Sequence, residues 1–333
     1  MNDDASFSAY LLSIQQSLIF YCTIFVLMPG LFLNMGTMYV FTRKKFARNP
    51  MALYNVYIAF TGIICILIFF ACFSPFAYNL NIAGYSVASC KTLAYITHVF
   101  TQMISWLHVL LSLDRMVSVL SPATHLSVKT PKFITLSSIV LFMGLIAENV
   151  EYFWYDLYAV PNMPTLKQCT SDFFTKEASD MINVLMHAML PLIFTLVANC
   201  VLIVSLFKQK RSFNLNRPMR REIAFSASVL SQNILFMVFI APQAAFVMYQ
   251  YVIDYVTDQQ SALSSSTRSE AILSLAITSS NVFATYTVSS SFPINLVFNK
   301  LFRQELLFIA RSMLAKVSPK YAVNYPSQIK TLA

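Results

Sequence analysis

The sequence has little charge and little glycine for its length. Charged residues make up 11% of the 333 residues, against about 25% in typical soluble domains, which excludes a water-soluble enzyme or nucleic-acid binder of this size. Only five glycines occur, whereas transporters tend to have repeated halves and broken, glycine-rich helices. Hydrophobic residues make up 57%, which excludes intrinsic disorder. These observations indicate an integral membrane protein.

Catalytic and metal-binding motifs are missing as well. The sequence contains no HExxH, GxSxG, Walker loop or paired membrane aspartates. His98 and His187 are the two residues that could form a metal site, but they have no carboxylate or cysteine neighbours in sequence. We therefore expect a protein that is not an enzyme and that needs no metal or other cofactor.

Seven stretches of 15 to 42 residues lack Asp, Glu, Lys and Arg. A membrane-spanning helix needs roughly 20 apolar residues, and only helices or closed barrels satisfy the backbone in lipid. The stretches are apolar all round instead of alternating as barrel strands do, so we predict an all-α integral membrane protein. The predicted seven-helix bundle covers 18–298, with spans at about 18–41, 52–78, 91–119, 133–154, 180–207, 222–252 and 270–298.

Positive charge is concentrated on one side of these spans. Nineteen of the 23 lysines and arginines lie in 42–51, 115–132, 208–222 and the tail from 299. Because Lys and Arg in short loops mark the cytoplasm, we expect an extracellular amino terminus over 1–17, and a cytoplasmic amphipathic helix and tail over 299–333. The net charge of +9 then reflects topology and contact with anionic membrane lipid, and we expect no nucleic-acid partner.

Two of the six cysteines lie outside the predicted spans. Cys90 precedes span 3, and Cys169 lies in the loop between spans 4 and 5, both on the expected extracellular side. That side is oxidising, so we predict a Cys90–Cys169 disulfide, the alternative being two free thiols.

Span 3 carries the most informative motif. Cys90 precedes Arg115 by 25 residues, about 37 Å of helix, so the two residues lie at opposite membrane faces. The run Leu113-Asp114-Arg115-Met116 is similar to an Asp-Arg-Tyr motif. Together with seven spans and prolines at Pro242 and Pro293, it resembles the rhodopsin-like (class A) G-protein-coupled receptors over nearly the whole chain.

The chain also departs from that family. Thr61-Gly62 stands where the family has a buried aspartate in span 2, Ile240 replaces the tryptophan of span 6, and Leu296 replaces the tyrosine of span 7. This divergence resembles invertebrate or nematode-type serpentine receptors.

The resemblance implies an activation switch at the cytoplasmic ends of spans 3 and 6. Arg115 would pair with Asp114 and Glu222, and Pro242 and Pro293 would act as hinges. In the alternative interpretation Arg115 extends to lipid phosphates, Glu222 only stabilises a helix amino terminus, and the prolines form static kinks.

The ligand site is expected in the outer third of the bundle, beneath the disulfide-tied loop. Polar and aromatic residues at that depth are either ligand contacts or interhelical contacts. Thr97 stands where amine receptors carry an aspartate, so a biogenic amine is not expected. The candidates are Thr97, His98, Thr101, Gln102, Asn183, His187, Gln243, Phe246 and Tyr286.

The resemblance therefore implies a plasma-membrane receptor that transduces binding of a neuropeptide or chemosensory small molecule into G-protein activation. Its partners would be the ligand, a heterotrimeric G protein and membrane lipid. The alternative from another class is a multi-span ligand-gated channel or a transporter.

Overall fold

The computed structural model of the chain describes residues 2–46, 50–76, 82–120, 130–160, 163–211, 217–252 and 267–317. These residues are almost entirely helical. Within them, seven helices are long and apolar enough to cross a membrane. The predicted all-α bundle with a further helix after the seventh span is therefore confirmed.

We number the spans in chain order. Span 1 consists of Asn2–Cys22, a π-helical turn at Thr23–Leu27 and Met28–Phe41; span 2 is Pro50–Phe76 and span 3 is Val87–Leu120. Span 4 is Pro131–Glu148 with a 3-10 turn at Asn149–Trp154, and span 5 consists of Phe173–Asn183, a π-helical turn at Val184–Met189 and Leu190–Arg211. Span 6 is Arg217–Tyr251, span 7 is Thr267–Ser289 and Ser291–Phe298, and the last helix is Lys300–Val317.

Prolines follow the irregular turns of spans 1, 5 and 7. The π-helical turns of spans 1 and 5 end two residues before Pro29 and Pro191, and span 7 breaks at Ser290, shortly before Pro293. A proline has no N–H and its ring clashes with the carbonyl four residues earlier, and a π-helical turn relieves this clash by widening the helix. Pro242 lies inside span 6 without ending it. The irregularity at Pro29 was not predicted.

Span 3 lies at the centre of the bundle. Met103, Leu107 and Leu111 pack against side chains of spans 2, 4 and 6. Ile104 packs against spans 1, 2 and 7. Helix association in membranes depends on such close side-chain packing, so span 3 contacts most of the bundle along its length.

Large apolar side chains cover the outside of the bundle. Phe25 is 70% exposed, Phe32 is 68% exposed and Val140 is 62% exposed. Soluble monomers rarely expose contiguous apolar surfaces of this kind. The exterior is therefore suited to lipid, as expected of a multi-pass membrane protein.

A β-hairpin covers one end of the bundle. Strand β1 (Asp156–Val160) pairs antiparallel with strand β2 (Met163–Thr170), with Leu157 opposite Cys169. A disulfide joins Cys169 to Cys90 at the start of span 3, which confirms the predicted bridge. We call this end of the bundle the disulfide end, and the end that holds Arg115 the arginine end.

The helix that contains the first span extends well beyond the predicted span 18–41 at its amino-terminal end. Its helix begins at Asn2, and Leu11 and Ile19 are buried. Gln15 donates from Nε2 to Ser274 Oγ of span 7 at 2.7 Å. Packing against span 7 thus stabilises this extension, which the sequence of span 1 alone does not reveal.

The last helix packs partly against the bundle. The sequence predicted one apolar face on the membrane, formed by Leu301, Phe302, Leu306, Phe308 and Ile309. In the structure, Phe302 and Ile309 are buried against spans 1 and 2. Apolar exposure on this helix is provided instead by Leu307, Met313 and Leu314.

Candidate functional site

A stripe of buried polar side chains runs along span 3. Its members recur every three or four residues, so they share one face of the helix, and each is at most 2% exposed. Polar residues in membrane helices face the bundle interior and mark functional paths. The stripe therefore leads from the disulfide end towards the arginine end. It consists of Gln102, Ser105, His108, Ser112 and Arg115.

At the arginine end, Arg115 is paired with its neighbour. Arg115 Nε donates to Asp114 Oδ2 at 2.9 Å, and Arg115 Nη2 donates to the same oxygen. Arg115 is 1% exposed. A guanidinium buried to this degree is stable only when a carboxylate neutralises it, so the pair fixes the rotamers of both side chains.

Glu222, the second predicted partner of Arg115, lies near the start of span 6. The backbone of Glu222 is helical, while its side chain lies outside the described residues. The predicted Arg115–Glu222 contact therefore stays a prediction.

Spans 3, 5 and 6 meet at a group of buried polar side chains that includes two amides. We call it the central amide cluster, and it consists of His108, Ser112, Asn199 and Asn233. Asn233 Nδ2 donates to Ser112 Oγ at 2.8 Å and to Asn199 Oδ1 at 3.1 Å. Asn233 Oδ1 lies 3.3 Å from His108 Nδ1. Because the Asn233 amide nitrogen already donates twice, its oxygen accepts, and His108 carries its proton on Nδ1.

An aromatic ring completes the central amide cluster. His108 stacks on Phe236 of span 6, with ring centroids 4.5 Å apart. Asn199, His108 and Asn233 are all buried, so no lipid or bulk water competes for their hydrogen bonds. One side chain of span 6 therefore holds both neighbouring spans.

A second polar connection joins span 7 to span 2 and to the last helix. Asn295 Nδ2 donates to Asn55 Oδ1 at 3.3 Å, and Asn299 Nδ2 donates to Asn295 Oδ1 at 3.4 Å. Asn299 Oδ1 then accepts from the backbone N–H of Phe302 at 3.1 Å, which caps the last helix. The orientation of span 7 is in this way linked to the start of that helix.

The position of the missing span 2 aspartate contains a close helix contact. Asn34 Nδ2 donates to the backbone oxygen of Val288 at 2.8 Å. A Cβ at Gly62 would lie 3.1 Å from this nitrogen and 3.3 Å from the Val288 oxygen. A larger residue would be tightly packed here, because spans 1, 2 and 7 approach one another closely.

Several predicted ligand residues meet near the disulfide end. His98 stacks on Tyr152 of span 4, with ring centroids 4.4 Å apart, and lies beside Asn183 and close enough to His187 for electrostatic interaction. We call this the outer polar cluster, and it also includes Gln102, Glu148, Asn149 and Gln243.

Hydrogen bonds connect the outer polar cluster to spans 4 and 7. Asn149 Nδ2 donates to Gln102 Oε1 at 2.6 Å. Gln243 lies next to His187 and donates from Nε2 to Asn281 Oδ1 at 3.2 Å. The cluster therefore contacts every span from 3 to 7.

The outer polar cluster continues towards the β-hairpin. The Tyr155 hydroxyl lies 3.2 Å from Ser179 Oγ. Burial raises the pKa of Tyr155, and either the Tyr155 hydroxyl or Ser179 Oγ can donate in this contact.

Four predicted ligand residues lie outside the outer polar cluster: Thr97, Thr101, Phe246 and Tyr286. Thr101 Oγ1 donates to the backbone oxygen of Thr97 at 2.8 Å, which uses its hydroxyl within the helix, and Thr97 lies beside Cys72 of span 2. Phe246 lines an open cleft between spans 6 and 7, together with Tyr249, Leu273 and other residues.

Tyr286 is not in the outer polar cluster. It is 41% exposed, on the same face of span 7 as exposed Phe283, and stacks on Phe239 at 5.5 Å. The reason is the rotation of span 7, which turns Thr285 inwards to Cys22 of span 1.

A carboxylate at the arginine end fixes the last helix to the loop after span 1. Glu305 is 6% exposed. Its Oε1 accepts from Arg43 Nε at 3.4 Å, and its Oε2 lies 3.5 Å from Lys45 Nζ. This ion-pair group adds to the aromatic packing of Phe302 on Phe41, whose ring centroids are 5.3 Å apart.

Among the described residues, no group of three or more His, Cys, Asp or Glu side chains could hold a metal ion. His98 and His187 approach each other but contribute two nitrogens without a third ligand of these types. The histidine pair is better explained as part of the outer polar cluster.

Sequence reading missed several residues of these clusters. His108, Asn149, Asn233 and Glu305 were not among the predicted site residues. The i, i+4 pair His108 and Ser112 inside an apolar span was a usable signal, because polar groups in lipid need partners. No comparable signal marked Glu305, which lies in an ordinary charged helix.

The family model described as 7 transmembrane receptor (rhodopsin family) matches residues 33–286, about three quarters of the chain. The matched region contains the disulfide, the buried stripe of span 3, and the central amide cluster. No curated protein matches the sequence.

Proposed function

We propose a signalling mechanism for this chain, which belongs to the rhodopsin family of seven-transmembrane receptors. It is a class A G-protein-coupled receptor and a multi-pass membrane protein, and its family is one of receptors, not of enzymes. In the proposed mechanism an extracellular ligand binds at the disulfide end, and a heterotrimeric G protein is activated at the arginine end.

The proposed orientation places the amino terminus outside and the protein in the plasma membrane. The Cys90–Cys169 disulfide needs an oxidising compartment, and the basic loops and tail favour the cytoplasm. An epitope tag after Arg303 should bind antibody only after cells are permeabilised. Binding on intact cells would contradict this orientation.

The observation that carries the proposed mechanism is the buried Asp114–Arg115 pair at one end of a helix whose other end holds the disulfide. We infer that Arg115 exchanges partners when the receptor is activated. Asp114 and Glu222 hold it in the resting state, and release opens a cleft that accepts the carboxy-terminal helix of a G protein.

The central amide cluster connects the two ends in this mechanism. A ligand that moves span 5 or 6 at the outer polar cluster changes the position of Asn199 or Asn233, and hence of the span 3 stripe. Pro242 and Pro293 allow the outer and inner halves of their spans to move separately. A ligand that prefers the open state by about 1.4 kcal/mol shifts the equilibrium tenfold.

The proposed ligand is a neuropeptide or a chemosensory small molecule, and not a biogenic amine. Thr97 offers no charge on span 3 for an amine, and it lies beside Cys72. The contacts we propose are His98, Gln102, Asn183, His187 and Gln243. We also propose that membrane lipid contacts the exposed apolar side chains of the bundle and of the last helix.

Agonist-independent signalling tests the switch without a known ligand. We expect Glu222→Ala and Asp114→Asn each to raise basal G-protein activation several-fold in transfected cells, measured for each G-protein class at equal surface expression. Asp156→Asn is the control, because Asp156 is exposed on the β-hairpin. Basal activity equal to that of the wild type for both variants in every class would refute the switch.

A further inference from the structure

The outer polar cluster has more hydrogen-bond acceptors than donors. Within the described part of the chain, five of its side-chain atoms are buried without a hydrogen-bond partner. Four are oxygens, and an amide oxygen or an ionised carboxylate can only accept. The fifth is a histidine nitrogen, which accepts in one tautomer. They are Glu148 Oε1, Asn149 Oδ1, Asn183 Oδ1, Gln243 Oε1 and His187 Nδ1. Asn183 lies within reach of His98, and Gln243 lies within reach of His187, so Glu148 Oε1 and Asn149 Oδ1 carry the inference.

The amide orientations that produce this excess are fixed by the backbone. Asn149 Nδ2 donates to the carbonyl oxygen of Leu145 at 2.9 Å, which can only accept. The same nitrogen donates to Gln102 Oε1, so the amide group of Gln102 is left to donate to Glu148. Reversing either amide would place two acceptors or two donors face to face.

This chain of hydrogen bonds positions the carboxyl group of Glu148. Gln102 lies beside this carboxyl group, and Glu148 Oε1 is buried without a hydrogen-bond partner. Asn149 is 1% exposed and Gln102 is also 1% exposed, so the supporting amides are enclosed by the bundle. Glu148 itself is half-buried, which leaves its carboxyl group within reach of a bound molecule.

Acidic side chains surround the cluster. Glu151 lies near enough to Glu148 to interact electrostatically, and Asp180 and Glu151 lie near Tyr152. Within the described residues, His98, His187, Tyr152 and Tyr155 also lie in this region. A ligand that supplies positive charge and several N–H donors would both balance the acidic side chains and pair with the unpaired acceptors.

We propose that the outer polar cluster binds a guanidinium group of the ligand, as on an arginine of a basic peptide, with Glu148 as its charge partner. A guanidinium is planar and carries five N–H donors, which suits a half-satisfied carboxylate surrounded by amide oxygens. The anchor lies on span 4, since Thr97 provides no charge on span 3. This inference rests on the proposed function, because it names the ligand class of the same site.

Binding of a minimal probe to the purified full-length chain tests the inference. The probe is L-arginine amide, and L-citrulline amide is its isostere, which keeps the α-amino group but has an uncharged side chain. We expect L-arginine amide to raise the midpoint of thermal unfolding in a concentration-dependent manner, and L-citrulline amide to leave it unchanged. Glu148→Gln should raise the half-saturating concentration of L-arginine amide at least tenfold.

Two further variants separate charge recognition from loss of structure. Glu148→Asp keeps the charge and should retain most of the probe effect, while Asp156→Asn, outside the cluster, should behave as wild type. Equal shifts by both probes, no shift by either, or unchanged half-saturation in Glu148→Gln would overturn the inference.

The binding test contains no G protein, so its failure differs from failure of the proposed coupling. Unchanged basal signalling in Glu222→Ala with intact L-arginine amide binding would refute the coupling alone. Raised basal signalling without selective probe binding would refute the guanidinium site alone.

Discussion

Replacing Asn233 with alanine would test whether the central amide cluster holds spans 3, 5 and 6 together. The Asn233 amide bonds Ser112 at 2.8 Å and Asn199 at 3.1 Å and lies 3.3 Å from His108 Nδ1. Its side chain is fully buried, so truncation leaves three buried groups without this partner.

The expected loss of stability follows from these three contacts. Interhelical hydrogen bonds in membrane proteins contribute about 0.6 kcal/mol each, which gives about 2 kcal/mol in total. An unpaired buried group in a soluble protein would cost roughly 1–3 kcal/mol, but helices separated in lipid find other partners, so we use the smaller value. If activation also breaks these contacts, the same free energy would raise the open population by up to roughly thirtyfold.

Unfolding of the purified receptor in detergent, together with basal signalling in cells, measures both effects. Ser231→Ala is the matched control, because Ser231 lies two residues away on span 6 and donates to its own helix at Ala227 O. A double-mutant cycle of Asn233→Ala with Ser112→Ala should give a coupling energy of about 0.6 kcal/mol. Stability equal to that of Ser231→Ala, with zero coupling, would refute the reasoning.

Three other changes have definite expected outcomes. Cys169→Ser opens the link to Cys90 across 79 residues and should cost roughly 2–4 kcal/mol of stability; dithiothreitol should lower the unfolding midpoint of the wild type but not of the variant. Glu305→Gln should cost about 1 kcal/mol, and this difference should shrink in 1 M salt; a salt-independent loss would contradict the ion-pair explanation. Gly62→Val should cost about 1–3 kcal/mol by overpacking, whereas Gly144→Val, whose added Cβ meets nothing within 4 Å, should be nearly neutral in thermal unfolding.

Much of the architecture could be predicted from the sequence because the bilayer imposes local rules. Six spans begin and end within seven residues of their predicted bounds, since the thickness of the hydrocarbon layer sets the length of an apolar helix. The disulfide was predictable because only two cysteines lie outside the spans. The exception is span 1, whose extension to Asn2 depends on Gln15 contacting Ser274 of span 7.

The candidate site was less predictable. His98, Gln102, Asn183, His187 and Gln243 could be grouped from the sequence only by their common depth in the bundle, and their partners could not be named. Their role as ligand contacts stays a prediction. The predicted ligand residue Tyr286 lies instead on an exposed face of span 7. Spans that are apolar all round have no polar face from which their rotation could be read.

The sequence by itself determined the number of spans, their approximate ends, the disulfide and the position of Arg115, because each follows from length, charge and chemistry along the chain. Tertiary structure alone decided that Asn233 joins three spans, that Asn149 orients Gln102 towards Glu148, and that Glu305 meets Arg43. These contacts join residues far apart in sequence, and they depend on helix rotation and close packing that no local pattern encodes.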